Sequence, residues 1–467
     1  MEAGMDIRGL LAIWMAKTAT LASRAMGRGG STFPGRVARI IDPLVLRKMA
    51  AQARAGNILI TGTNGKTTTS RMISAVCRRA GLRVTSNRTG ANLIYGVISA
   101  FVQSCDVLGR LRSDLGVIEV DEATMPAAAA ELRPRGVVVT NFFRDQLDRF
   151  GELATTVLLV KRGLDVVPSG DSFVALNSDD PLAASLGRAL GIGVTYFGIE
   201  DRSVFAGGLI QAADVKNCLD CDSPYEYDGV FYAHLGIYRC PSCGASRPAP
   251  DVALTGCSSH GTGSSLRIRA PAGEFTVVLP VPGIYNAYNA LAATACCLAM
   301  GLSVEQIRAG LETYAGSFGR MESIEIGGKR VLMALVKNPA GFNEVIRTVV
   351  EGPGDKHLVI CINDNYADGT DVSWLWDVDF ERLAGPCGVQ SVVTSGIRAE
   401  DMAVRLKYAG VDPVRLTIDN DLKKALQAGL SRAPEGGTLY ILPTYTAMLD
   451  MRRIIHDMGH AKMFWED

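Results

Sequence analysis

At 467 residues the chain is longer than one ordinary hydrophobic core organises, so two or three domains are expected. Hydrophobic residues make up 48% and charged residues 21%, which excludes a disordered chain and fits a soluble, well-packed globular protein. The 48 basic and 48 acidic side chains cancel, which argues against a general electrostatic grip on nucleic acid and leaves room only for a local basic patch.

The first apolar stretch, Gly9 to Ala16, is broken by Lys17 and Arg24 and is too short to span a bilayer. No small-residue cleavage site follows it. It reads as an amphipathic helix packed on the protein, inside an N-terminal helical segment over residues 1–50, with a weak membrane-surface role left open.

A βα rhythm starts at the strand Asn57 to Thr61, followed by a Gly-rich turn and a helix from about Thr67. Apolar, β-rich runs recur at Gly116 to Val120, Gly136 to Phe143, Ser172 to Leu176 and Gly193 to Ile199. Helix-like segments lie between several of them, as a mostly parallel sheet requires. Residues 203–268 break the rhythm with Gly, Cys, Ser and Pro, and are expected to be an insertion with its own small structure. The helical stretch Asn286 to Met300 resumes the main domain, and a boundary is placed near residue 320. A second βα series then carries strands at His357 to Ile362, Val389 to Thr394 and Thr438 to Leu442.

The segment Thr61-Gly62-Thr63-Asn64-Gly65-Lys66-Thr67-Thr68-Thr69 lies between a strand and a helix, the context of a phosphate-binding loop. Backbone N–H groups and the helix N-terminus face phosphates there, Lys66 neutralises their charge, and the Thr67 hydroxyl suits Mg²⁺. Ile60 stands where the common template has its first glycine, leaving the shorter Gly-x-x-Gly-Lys-Thr form.

Cys218-x-x-Cys221 and Cys240-x-x-Cys243-Gly244, separated by residues 222–239, form a zinc-ribbon pattern of four thiolates in a closed, structural site. His234 lies between the pairs as a possible substitute ligand, although four cysteines suffice. A pair of disulfides or redox pairs is the competing reading, and a reducing cytosol disfavours it. The cysteines at 77, 105, 257, 296, 297, 361 and 387 show no ligand spacing and are assigned to packing. In the C-terminal half, the run from Asn363 to Asp377 follows an apolar strand and gathers Asp364, Asp368 and Asp371 around Gly369, Trp374 and Trp376. Strand carboxyl ends are where open α/β sheets place their sites, although an Asx-rich loop capping the next helix would look the same.

The loop Gly62 to Thr69 resembles that of the Mur ligases and folylpolyglutamate synthases, enzymes that activate a carboxylate as an acyl phosphate for attack by an amine. Further segments of that family's pattern follow in order. Glu119 resembles its Mg²⁺-holding glutamate. Thr140-Asn141 with Asp145-Gln146-Leu147-Asp148 resembles its Thr-Asn…Asp-His-Leu-Asp segment, and Asn177 to Pro181 its Asn-x-Asp-Asp-Pro turn. Gly283 to Asn289 resembles the segment whose first asparagine, Asn286 here, sits by the adenine. Gly319-Arg320-Met321-Glu322 resembles the segment whose arginine, Arg320, reaches the phosphates. The departures are Gln146 and Tyr285 in place of histidines, and Ala334 to Pro339 in place of Asp-Tyr-Ala-His-x-Pro. Losing a histidine ligand puts a second metal site in doubt. Lys161 lies near the place of a carbamylated lysine in some Mur ligases, and a surface helix lysine is the plainer reading.

The ribbon, Lys337 to Gly341 and the Asp371 segment together resemble one branch of that superfamily, the MurT-type subunits of lipid II isoglutaminyl synthases, over nearly the whole chain. The resemblance implies an α/β architecture: a Mur-ligase-type P-loop ATPase domain over 51–320, with the four-cysteine zinc ribbon 218–243 inside the insertion 203–268. A Rossmann-like α/β domain over 321–467 completes it. It also implies a cytoplasmic enzyme acting at the inner membrane face, paired with a glutamine amidotransferase that releases ammonia. ATP, Mg²⁺ and Zn²⁺ are the implied cofactors. The implied reaction is amidation of the D-glutamate α-carboxylate of the lipid II stem peptide to D-isoglutamine. Gly62, Thr63, Asn64, Gly65, Lys66, Thr67 and Thr68 would hold the phosphates with Arg320, Asn286 the adenine, and Thr67 and Glu119 the Mg²⁺. Asp371 would complete the partner's Cys-His pair. An amino-acid-adding ligase and a non-catalytic adaptor are the rival readings; missing histidines weigh against the first and the intact Gly-Lys-Thr against the second.

Overall fold

A computed structural model describes residues 5–25, 32–87, 91–144, 153–206, 214–260, 263–314, 320–352, 354–385 and 388–461. Three helices come first: α1 (Ile7–Ala25), α2 (Phe33–Ile41) and α3 (Val45–Ala50). The sequence marked an apolar stretch ending at Ala16; the helix continues because Lys17 falls beside the buried line Ala12, Ile13, Ala16 and Thr20, not on it.

The first βα series comprises β1 (Asn57–Thr61), α4 (Lys66–Arg79), β2 (Val84–Thr85), α5 (Ile94–Ser104), β3 (Leu115–Glu119), α6 (Met125–Leu132) and β4 (Gly136–Val139). It continues through α7 (Leu153–Leu164), β5 (Phe173–Asn177), α8 (Pro181–Ser185) and β6 (Gly193–Ile199). The hairpin β7 (Glu226–Tyr232) and β8 (Leu235–Arg239) forms a separate two-stranded sheet. Then come β9 (Val252–His260), β10 (Gly263–Ala270) and β11 (Gly273–Leu279), followed by the helices α9 (Ile284–Ala299) and α10 (Val304–Glu312).

Nine of these strands make one sheet in the order β11-β10-β9-β6-β5-β4-β1-β3-β2, parallel from β9 to β2 and antiparallel from β9 to β11. The strands β1, β3 and β4 are buried at every position, as helices on both faces of a parallel sheet demand. Connection order reverses at β1, which lies between β3 and β4, so the loops leaving their carboxyl ends converge at the place where such sheets bind ligands. The Ala-rich helix α9 is buried from Ile284 to Cys297 except at Tyr285, and it packs against α4 and the sheet.

Two expectations need correction. The run Gly136 to Phe143 is not all strand: β4 ends at Val139, because Thr140 to Phe143 commit their polar groups to neighbouring loops. The insertion is also narrower than 203–268, since β9 and β10 extend the main sheet from Val252 onward.

The second sheet is built from β12 (Arg320–Ile326), β13 (Lys329–Ala334), β14 (Lys356–Cys361), β15 (Val389–Ser395), β16 (Leu416–Ile418) and β17 (Thr438–Pro443), in the order β12-β13-β17-β14-β15-β16. Only the β12–β13 edge is antiparallel. Its helices include α11 (Pro339–Glu351), α12 (Glu381–Ala384), α13 (Ala399–Tyr408), α14 (Leu422–Arg432) and α15 (Tyr445–Asp457). No helix among the described residues is long and apolar enough to cross a membrane.

Candidate active site and metal centre

The loop after β1 turns on two glycines in the left-handed region, Gly62 (φ 117°) and Gly65 (φ 88°). A side chain at either would also collide: a Cβ on Gly62 would lie 2.4 Å from Thr140 Oγ1, and one on Gly65 2.2 Å from Asn289 Oδ1. The end of β4 holds the loop from below. Asn64 N–H donates to Asn141 Oδ1 (2.9 Å), the Thr140 hydroxyl donates to Asn64 O (2.7 Å), and Thr63 N–H donates to Asn141 O (2.8 Å). Thr140-Asn141 therefore shapes the loop, leaving its remaining N–H groups and the start of α4 to face an anion.

Lys66 opens α4 and is buried. Its ammonium donates to Gly62 O (2.6 Å) and lies 3.5 Å from Asp121 and 3.4 Å from Glu122, both buried carboxylates just past β3. Sequence reading missed these two acids. Their signal was an acid pair two residues beyond a strand-end glutamate. Glu119 pairs in register with Ile60, the residue before the loop, and Asn87 fixes its backbone by hydrogen bonds to both its N–H (3.0 Å) and its carbonyl (2.7 Å). Asp121 and Glu122 are thus engaged with Lys66. Among the described residues Glu119, Asp121 and Glu122 do not form a cluster close enough to hold an ion by themselves; Mg²⁺ there would need oxygens from Thr67 and from phosphate as well.

A cleft with a cavity volume of about 90 Å³ lies between the loops of the two sheets. Gly65, Thr68, Asn141, Tyr285 and Asn289 line one side, and Lys337, Gly341 and Glu344 the other. Asn64 and Asn338 join the two halves through a pair of amide hydrogen bonds. Asn286, expected at the adenine, is not among the lining residues; it donates to Pro282 O (2.6 Å) and backs Asn289, whose amide reaches it. Glu344 is buried and lines this cleft, and desolvation pushes its carboxyl up to about 7. Arg320 contributes backbone to β12 opposite Ala334, while its side chain, together with Gly319 and Asp145 to Asp148, lies outside the described residues.

The turn Asn177 to Pro181 is wholly buried structure. Asp180 caps α8, accepting from Leu182 N–H (2.9 Å), and also accepts from Phe142 N–H (2.6 Å). Asp179 accepts from Arg247 (2.6 Å) and from the Tyr288 hydroxyl (2.6 Å), tying the post-ribbon chain to α9. His234 sits in this core, 3.4 Å from Asp180, and takes no part in the cysteine cluster.

The four ribbon sulfurs all lie within 4.8 Å of one another, with Cys218–Cys243 at 3.5 Å and Cys221–Cys240 at 3.4 Å. A tetrahedral metal with ~2.3 Å bonds to sulfur needs sulfurs about 3.8 Å apart, so the arrangement can hold one such ion. Backbone N–H groups of Asp220 and Cys243 point at Cys218 and Cys240 sulfurs (3.5 Å each), the outer contacts that stabilise thiolates. Cys77, Cys105, Cys296, Cys297 and Cys361 are buried in the cores, Cys257 is half-buried, and Cys387 lies outside the described residues. Lys161 is an exposed lysine on α7.

The three C-terminal carboxylates separate clearly. Asp364 is ion-paired to Arg398 (2.6 Å). Asp368 is buried, accepts from Thr446 N–H (2.7 Å) at the start of α15, and is raised by that burial. Asp371 is exposed, and the Ser373 N–H (2.8 Å) and hydroxyl (3.0 Å) keep it ionised and low.

Comparison with known proteins agrees with this fold. Residues 60–227 match the Mur ligase middle domain and residues 335–448 the MurT ligase C-terminal domain. The chain is 34% identical over 446 residues to the MurT subunit of a glutamine-hydrolysing lipid II isoglutaminyl synthase from Staphylococcus aureus, covering 95% of this chain and 97% of that protein. The corresponding subunit of Streptococcus pneumoniae is 32% identical over 455 residues, with 97% and 98% covered. Among solved structures, MurF from Acinetobacter baumannii superposes with a TM-score of 0.67 at 18% identity, over 92% of this chain and 81% of that one, which establishes the Mur-ligase-like α/β fold. The chain belongs to the MurT family of Mur-type, ATP-dependent ligases.

Proposed function

We propose that this chain is the synthetase subunit of a lipid II amidating enzyme, using ATP, Mg²⁺ and ammonia to convert the D-glutamate α-carboxylate of the stem peptide into D-isoglutamine. The observation that carries the reading is the pairing of a Mur-type phosphate loop with a cleft where two of the family's usual histidines are replaced: Tyr285 stands at one and Lys337 at the other. An enzyme supplied with ammonia has no need of a pocket for an amino-acid nucleophile.

In this reaction a carboxylate oxygen of the substrate attacks the γ-phosphorus and ADP leaves. Ammonia then attacks the acyl carbon, phosphate departs and the nitrogen loses a proton. Lys66 and the loop N–H groups not taken by Asn141, at Gly62 and from Gly65 to Thr68, are assigned to the phosphates, with Thr63 and Asn64 shaping the loop through Asn141. The family resemblance assigns Arg320 to the γ-phosphate. Preorganised positive charge there lowers the barrier most, because charge builds on phosphoryl oxygens. Thr67 and Glu119 would hold Mg²⁺, which would supply charge neutralisation at the phosphates. The family resemblance assigns Asn286 to the adenine, with Asn289 between it and the cleft. Zn²⁺ is the ion assigned to Cys218, Cys221, Cys240 and Cys243, as a structural clamp.

Ammonia comes from a glutamine amidotransferase partner, and Asp371 is the carboxylate offered to it. Of the three acids in its loop it alone is both exposed and free of a basic partner among the described residues. The enzyme works in the cytoplasm at the inner membrane face, where the lipid-linked substrate lies.

Hydroxylamine offered with MgATP and lipid II should give a hydroxamate at the D-glutamate carboxyl, trapping the acyl phosphate. ADP formation with no hydroxamate, under conditions where ammonia gives amide, would remove the acyl phosphate from the scheme.

A further inference from the structure

Helix α1 carries apolar side chains on its outer as well as its inner face, with Arg8 and Lys17 between them. One face is buried, through Ala12, Ile13 and Ala16 against the first domain. The opposite face is uncovered: Ile7 (86% exposed), Leu11 (49%), Trp14 (50%), Met15 (47%) and Leu21 (68%) form one stripe along the helix. The loop beside it continues the stripe. Trp14 Nε1 donates to Val107 O (2.7 Å), and Val107 and Leu108 are themselves exposed. Scattered exposed apolar residues are ordinary, whereas a continuous stripe of this size marks a contact surface.

Charge selects the occupant. From Ile7 to Ala50 the sequence holds eight Lys and Arg residues and one acid, Asp42, in a chain whose overall charge is zero. Helical spacing puts Arg8 on one edge of the stripe and Lys17 on the other, and Arg36 and Arg47 are exposed on α2 and α3. Neighbouring acids are ion-paired: Asp6 and Asp42 share Lys48, and Asp106 meets Arg112 (2.9 Å). An apolar stripe with a tryptophan near its middle and a margin where cations outnumber acids is the form of a helix that lies in a bilayer interface.

We propose that the outer face of α1, with Val107 and Leu108, docks this protein on an anionic lipid bilayer. The apolar side chains enter the acyl boundary while Arg8 and Lys17 meet lipid phosphates. The proposal deepens the reading of a lipid-linked substrate, but its test is independent of that substrate.

Flotation of the full-length protein with phosphatidylglycerol–phosphatidylcholine vesicles, free of any peptidoglycan precursor, measures it directly. The protein should float with these vesicles, Trp14 emission should shift to the blue, and raised salt or pure phosphatidylcholine should weaken binding. Leu11→Gln with Met15→Gln alters only exposed positions, so the melting temperature should hold while vesicle binding falls about ten-fold or more. Wild type that stays off anionic vesicles would overturn the proposal, as would a double variant that binds as tightly as wild type. A wild type that self-associates through this face, with the variant monomeric and neither bound to vesicles, would assign it instead to a second copy. The reading of the reaction fails separately, through loss of amidation on a short-chain, water-soluble precursor, where the variant should match wild type.

Discussion

Asn64 in the phosphate loop and Asn338 ahead of α11 face one another with both amides engaged, Asn338 donating to Asn64 (3.1 Å) and Asn64 to Asn338 (3.4 Å) across 274 residues of sequence. The same Asn338 oxygen accepts from Gly341 N–H (2.8 Å) and so caps α11, which carries Gly341 and Glu344 into the cleft. The nucleotide loop and the far wall of the cleft are therefore positioned by one side chain.

Removing it should do two separable things. Asn338→Ala loses the cap, at about 1 kcal/mol of stability, and also loosens the cleft. Asn338→Ser keeps a capping oxygen but cannot make the amide pair, and Asn64→Ala leaves the cap untouched. Thermal unfolding should therefore single out Asn338→Ala, while nucleotide titration should show weakened ATP binding in all three.

Lys66 sits between two buried carboxylates as well as at the phosphate loop. Lys66→Ala should lower the ATP-dependent rate by about 100-fold or more, the scale for loss of a preorganised charge at a reacting oxyanion. It should also destabilise the protein, because Asp121 and Glu122 lose a buried cation. Adding Asp121→Asn and Glu122→Gln should recover stability without recovering rate, as read by urea unfolding beside an ADP assay.

Glu344 supplies a pH signature. Burial raises its carboxyl from 4.5 to about 7, so the folded state holds a proton that the unfolded chain releases. Its stabilising contribution is complete below about pH 4.5 and is lost as pH rises through about 7, a difference of roughly 3 kcal/mol at most. Glu344→Gln should flatten that fall: wild type should lose stability relative to the variant between pH 5 and 7 in urea unfolding, and equal slopes would contradict the assignment.

The cysteine cluster should carry a single zinc ion per chain, measurable by elemental analysis. Cys218 and Cys240 are buried under Tyr225 and Tyr238, so Cys240→Ser should lose the metal and lower Tm; Cys105→Ser, away from the cluster, should keep the metal.

Much of this was legible in sequence for local reasons. A Gly-Lys-Thr between an apolar strand and a helix, or two Cys-x-x-Cys pairs at ribbon spacing, carries its geometry in a few adjacent residues. Strands β9 and β10 were hidden because Cys257-Ser-Ser and Gly263-Ser-Ser are small and polar, the composition of a loop; their pairing, not their residues, makes them strands. The acids around Lys66 and the partner of Asn64 were out of reach for a different reason. Each depends on which loops the topology brings together, and nothing in the local chain encodes a contact 56 or 274 residues away. The three carboxylates near Gly369 could be placed in one loop by sequence, but only burial and the Arg398 pair separate Asp371 from the other two.

The most direct test is mass spectrometry of lipid II after incubation with this chain, MgATP and either ammonium chloride or glutamine. The account predicts conversion of one carboxyl to an amide with ammonium, placed by fragmentation on D-glutamate, and no conversion with glutamine unless an amidotransferase partner is added. Amidation driven by glutamine in the chain alone, or an added amino acid in place of an amide, would contradict it.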